Sequence, residues 1–176
     1  MLIFALVIIH QMYKYMDMIT SLLELEKAFR IETLSKITNY DIFFKALAES
    51  LFNNFQIRNG NDIFRFVEIE FYLRATESES RKIAYERETR EGEGLLHDNG
   101  VDIAFESNKD FYGGILVRSL KKSRSYSIDG EFINGPRKCS WHILDGLNAF
   151  GHNERLPRLE EASIQEEIES KAFTRQ

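Results

Sequence analysis

Apolar residues first recur along this chain at helical spacing. Met18, Leu22, Leu25 and Phe29 predict an amphipathic helix over about residues 18–29. A stronger stripe follows in NYDIFFKALAESLFNNF, where Phe44, Leu47, Ala48, Leu51, Phe52 and Phe55 share one face and Asn39 or Asp41 can cap the start. The period then shortens to two. Phe55–Arg58 and Ile63–Tyr72 read as strands of an antiparallel hairpin around Asn59-Gly60, because tight hairpin turns favour residues that tolerate positive φ. The charged stretch from Arg74 to Gly94 reads as a long loop. GVDIAF and GGILVRSL predict strands centred on Ile103 and Leu116, and Asp129-Gly130 a turn. GPRKCSWHILDGLNAF opens a helix with Pro136 at its first position, and Ser163 with Glu166 forms a capping box in an acidic C-terminal stretch. This order predicts an α+β fold with an antiparallel-rich sheet. It divides into a helical extension over 1–39, a domain over 40–158 and an acidic tail over 159–176.

Composition narrows the function classes. The chain has 176 residues, enough for a single domain with short extensions, and its 14 phenylalanines predict an aromatic core. A net charge of −5 gives no general attraction to nucleic acid, so any such binding must rest on a local basic rim and be weak. Cys139 is the single cysteine, which excludes an intrachain disulfide and a cysteine-based zinc site and fits a reducing cytoplasm. The apolar run Leu2–Ile9 is too short to span a bilayer and lacks the flanks of a signal peptide. Met16 or Met18 would make an ordinary start. No two histidines among His10, His97, His142 and His152 have ligand spacing, so no metal site is expected. The expectation is a cytoplasmic monomer, nucleoid-associated if bacterial, with no membrane partner.

The segment FRFVEIEFYL raises the chemical question. It has the pattern of a strand, yet carries Glu68 and Glu70 among large apolar residues. Regular alternation places Arg65, Val67, Ile69 and Phe71 on one face, and Phe64, Phe66, Glu68, Glu70 and Tyr72 on the other. Two readings follow. The second face is solvated and its glutamates pair with cations on neighbouring strands. Or the carboxylates work beside aromatic surface, one of them taking a proton from water while a ring stacks a flat, electron-poor ligand.

LAESLFNNFQIRNGNDIFRFVEIEFYL (47–73) resembles the start of the alkyladenine, or 3-methyladenine, DNA glycosylase family, where a helix leads through a hairpin into a VETEAYLG strand. Val67 to Leu73 match that strand in order. GGILVRSL (113–120) is similar to the family's later GAVLIRAL strand, and GPRKCSWHILD (135–145) to its GPGKL helix start. The three blocks come in the family's order across about residues 40–158. The resemblance implies a single domain with a curved antiparallel sheet flanked by helices. It also implies a monofunctional enzyme of base excision repair that flips an alkylated purine out of DNA and hydrolyses its bond to the sugar, without cofactor or lyase step. Glu70 falls on the family's water-activating glutamate and Tyr72 on its base-stacking tyrosine. A cationic alkylated purine suits an aromatic site.

The chain also departs from the family pattern. No histidine follows Tyr72 at the family's spacing, where Arg81-Lys82-Ile83 stands. EGLLHDNGVDIAF (93–105) replaces the tyrosine-rich run that supplies a stacking ring and the wedge inserted into DNA. His97 is a candidate base-binding residue and Asp102 a candidate accessory acceptor, with Glu68 beside Glu70. Arg137 and Lys138, in the first turn of a helix, form a candidate phosphate site, and Arg118 reaches either a phosphate or Glu68. Arg81, Lys82, Arg87 and Arg90 alternate with acids and read as solvated, Cys139 as buried and inert, His142 as a packing residue. The alternatives to a repair glycosylase are a divergent member cleaving another N-glycoside, and a module that only binds a flat ligand.

Overall fold

A computed structural model describes residues 19–74, 86–124, 130–146 and 156–163. Helix α1 (Leu22–Ala28) starts at a capping box in which Ser21 accepts from the Glu24 backbone and the Glu24 side chain accepts from that of Ser21. Its inner face carries Leu25 and leads to Phe29, while Leu22 stays outside and Met18 lies outside the described residues. A single turn, α2 (Ile31–Leu34), follows. Helix α3 (Tyr40–Asn54) is capped by Asn39, whose side chain accepts from Ile42 N. The helices before residue 40 do not extend from the domain: Leu25, Phe29, Leu34 and Ile37 belong to the same core as the sheet.

Strands β1 (Phe55–Asn59) and β2 (Asp62–Arg74) form the expected hairpin, with Asn59 paired to Asp62, so that Gly60 and Asn61 are the loop residues. Gly60 has φ 62°, a conformation open to glycine at little cost. Strand β4 (Gly100–Ala104) is the strand expected around Ile103, and β3 (Gly94–His97), which the sequence reading did not assign, pairs with it as a second hairpin. Strand β5 (Tyr112–Arg124) pairs with β2 on one side and on the other with β4 and then with β6 (Glu131–Asn134). Helix α4 (Pro136–Ile143) has Pro136 at its start, as expected. Strand β7 (Arg158–Glu161) pairs with β1, so the boundary placed after residue 158 falls inside a strand of the sheet. Burial alone would disfavour charge on Glu160. Donors from Gln56 at 2.7 Å and Arg58 at 2.6 Å outweigh it and hold the carboxyl below its ordinary range.

Among the described residues the strands form one curled antiparallel sheet in the order β3-β4-β5-β2-β1-β7, with β6 added beside β5. The fold is α+β. One core joins the helices to one face of the sheet: Phe44 on α3 stacks on Phe71 at 4.6 Å and on Phe105 at 6.0 Å. Arg65 is buried and donates to the carbonyls of Phe52 and Asn53, which the end of α3 leaves without helical partners. No helix among the described residues is long and apolar enough to cross a membrane. The Asp129-Gly130 turn and the Ser163–Glu166 capping box involve residues outside the described ones, as do His10 and His152.

The regular alternation expected along β2 fails at one point, and that point builds the site. Phe66 pairs with Leu120, but Glu68 pairs with Ser119, and regular pairing resumes with Ile69 opposite Val117. Each strand thus has one extra residue here, Val67 on β2 and Arg118 on β5. Paired residues share a face, and Ser119 faces away from its neighbour Leu120. Glu68 therefore lies opposite to Phe66. The consequence is that Phe64 and Phe66 face the core together with Ile69, Phe71 and Leu73, while Val67, Glu68, Glu70 and Tyr72 face away from it. The expected grouping of Phe64 and Phe66 with the glutamates is overturned. The paired bulge lets ten residues turn Phe64 and Phe66 before it, and Ile69, Phe71 and Leu73 after it, to the core while Glu68 and Glu70 stay on the outer face.

Candidate functional site

The outer face of β2, β5, β4 and β3 gathers most of the residues singled out from the sequence. Glu70 and Glu68 share Arg118, whose Nη1 donates to Glu70 Oε2 at 2.7 Å and whose Nε donates to Glu68 Oε1 at 3.1 Å. Ser119 Oγ donates to the other Glu68 oxygen at 3.0 Å. The paired bulge is what allows this. It sets Arg118 and Ser119 side by side on the outer face, where a regular strand would separate them. Glu68 is 56% exposed and Glu70 33%, so Glu70 sits deeper in the face. Glu68, one of the two partners expected for Arg118, is thus bonded to it, and Glu70 with it.

Two residues farther along β2, Tyr72 enters a second network. Its hydroxyl donates to Asp102 Oδ2 on β4 and accepts from Arg87 Nη2 at 2.5 Å. Arg87 Nη2 also donates to Gly113 O at 3.1 Å, and the guanidinium carbon stands 5.3 Å over the Tyr72 ring. Burial, and after it the bond to Asp102, pushes the Tyr72 phenol well above the ordinary tyrosine range. Asp102 is 4% exposed. His97 Nε2 lies 3.1 Å from Asp102 Oδ1, off the line a hydrogen bond needs, so this buried oxygen has a neighbour without an aligned donor. His97 Nδ1 accepts from Asn99 N at 3.3 Å.

Arg87 is the residue that the sequence reading missed. Its alternation with acids suggested a solvated side chain, yet it is 17% exposed and tied to Tyr72. No spacing in the sequence announces this, because Arg87 lies on the irregular segment before β3 and its partners lie on β2 and β4. Gly114 on β5 makes room for it. A Cβ there would meet Tyr72 Oη at 2.8 Å, Ile103 O at 2.9 Å and Arg87 Nη2 at 3.2 Å. Gly114→Ala is therefore expected to destabilise the fold by about 1–3 kcal/mol, since the Ile103 carbonyl is fixed in the sheet. Chemical denaturation checks this, and an unshifted midpoint would mean that the Ile103 carbonyl and the Tyr72 hydroxyl do not crowd this position.

Arg137 Nε and Nη2 both donate to Asp98 O, at 3.0 and 2.9 Å, tying α4 to the β3–β4 turn. Lys138 is exposed. Gly135 N donates to Arg118 O at 2.9 Å, so the helix start and the arginine of the glutamate pair are joined through the backbone. Cys139 is buried, and burial pushes its thiol up to about 11. Arg81 and Lys82 lie outside the described residues. A cavity of about 220 Å³ among α1, α2 and α3, lined by Ala28, Phe43 and Leu47, lies on the core side of the sheet, away from the glutamates. No cluster of metal-ligating side chains occurs among the described residues. Compared with known protein families, with curated proteins and with solved structures, the chain matches none.

Proposed function

We propose that the outer sheet face is the active site of a glycosylase of the alkyladenine type, which hydrolyses the base–sugar bond of alkylated purines in DNA. The observation that carries the reading is the 2.7 Å bond between Arg118 and Glu70 beside Tyr72. Three sequence blocks resemble that family, and their residues meet in space. Glu70 and Tyr72 come from the first, Arg118 from the second, and the helix start bonded to Arg118 from the third. In this reading Glu70 takes the proton from a water attacking the sugar carbon, the Arg118 fork fixes the direction of the carboxylate, and the departing base is already a good leaving group because alkylation has made it cationic. Carboxylates outnumber arginines here, with Glu68, Glu70 and Asp102 against Arg87 and Arg118, which suits a cationic ring. DNA contact would rest on a weak basic rim that includes Lys138.

The binding-only reading has an observation of its own. Arg118 engages both glutamates, and Arg87 covers one side of the Tyr72 ring, so the face also fits a module that holds a flat ligand without cleaving it. Base release from methylated duplex DNA, methylated single-stranded DNA and free alkylated nucleosides, assayed in parallel, separates the possibilities. Release from DNA supports the repair reading, release from nucleosides alone supports the divergent hydrolase, and tight binding without release supports the module.

A further inference from the structure

We propose that Arg87 and Asp102 are positioning residues, which together grip the Tyr72 hydroxyl and hold its ring in one orientation beside Glu70. For the ligand the inference rests on the reading above; the grip itself does not. Neither residue belongs to the blocks that carry the family resemblance. The hydroxyl has one proton to give and gives it to Asp102; it accepts in return from Arg87. Arg87 is fixed by the Gly113 carbonyl and by its place over the ring, and its Nη1 lies 3.6 Å from Asp102 Oδ2, which closes the triangle. The backbone under the triangle is bare, because Gly114 carries no side chain that would push the ring away.

A phenol held this way has no proton to give a ligand. Tyr72 then recognises a ring by surface and charge, and any polar selectivity falls to its neighbours. The charged and titratable groups around it come from each adjoining element: Glu70 on its own strand, Asp102 on β4, His97 on β3, Arg118 on β5, and Arg87 from the segment before β3.

Spectrophotometric titration at 295 nm tests the grip without any need for activity. The difference between each protein and its own Tyr72→Phe derivative isolates this residue. In the parent protein Tyr72 is expected to stay un-ionised well above the ordinary tyrosine range. Asp102→Asn keeps an acceptor of the same shape but removes the charge, so Tyr72 should ionise at lower pH. Arg87→Met keeps an apolar cover over the ring but removes the cation, so ionisation should be harder than in the parent. These opposite directions are the signature, since a general loosening would move both variants toward the ordinary range. Equal shifts in one direction, no shift in either, or an ordinary Tyr72 in the parent would overturn the proposal. In base release, both variants should raise KM by roughly tenfold with kcat little changed, as expected for partial loss of a stacking surface. Opposite titration shifts with no base release by the parent would leave the grip standing and remove the glycosylase reading.

Discussion

Glu70→Gln is expected to lower base release by about 10²–10⁴-fold, the usual value of a general base, while the fold persists. Glutamine has the shape of glutamate and can still accept from Arg118 Nη1, so the geometry around the paired bulge survives. What it cannot do is take a proton. The stability change should stay within about 1 kcal/mol, because Glu70 is one-third exposed and shares its cation with Glu68. Glu68→Gln is the control. Glu68 is more exposed, is held by Ser119 as well, and sits on the bulge, so its loss should cost far less in rate. Parallel measurement of kcat/KM and denaturation midpoints decides the matter. If both variants release base like the parent, or if Glu68 proves the more critical, the two carboxylates are a clamp that fastens β2 to β5 at its irregularity.

Much of the scaffold was legible because its signals are local. The stripe from Phe44 to Phe52, the Asn39 cap, the Asn-Gly hairpin and Pro136 at a helix start depend on residues within a few positions of one another. The β3–β4 hairpin carried the same kind of signal, Asp98-Asn99-Gly100, and was obscured by the polar stretch before it. The paired bulge could not be read in this way. FRFVEIEFYL alternates cleanly as text, and only the partner strand reveals that Glu68 faces Ser119 while Phe66 faces Leu120. The carboxylates, Tyr72 and Arg118 were identifiable as residues, but not the direction in which they point. Strand β7 was hidden for a related reason. Its charged residues suggest a tail, and it holds its place through Glu160 with Arg58 and Gln56, a contact made about 100 positions away along the chain.

Replacing Arg118 with methionine should lower base release by about 10²-fold, the cost of misplacing a catalytic group by roughly an ångström. The guanidinium bridges Glu70 and Glu68, its fork with one arm on each. Without it, two carboxylates on one face repel each other, and Glu70 loses the donor that directs its Oε2. The backbone contact from Gly135 to the Arg118 carbonyl does not depend on the side chain and should survive. Methionine matches the arginine stem in length and keeps its packing on the strand. The stability loss should be no more than about 1–2 kcal/mol, since both ion pairs are partly exposed. Arg118→Lys separates charge from direction. Lysine restores the positive charge and should recover most of the stability, but it is a point donor and cannot hold two carboxylates in a planar fork. Release should therefore remain well below the parent in the lysine variant. If lysine restores release fully, Arg118 acts through charge alone. If the methionine variant loses several kcal/mol of stability yet each folded molecule still releases base at the parent rate, the Glu68–Arg118–Glu70 set is a structural tie across the bulge, and the hydrolase reading loses the contact on which it stands.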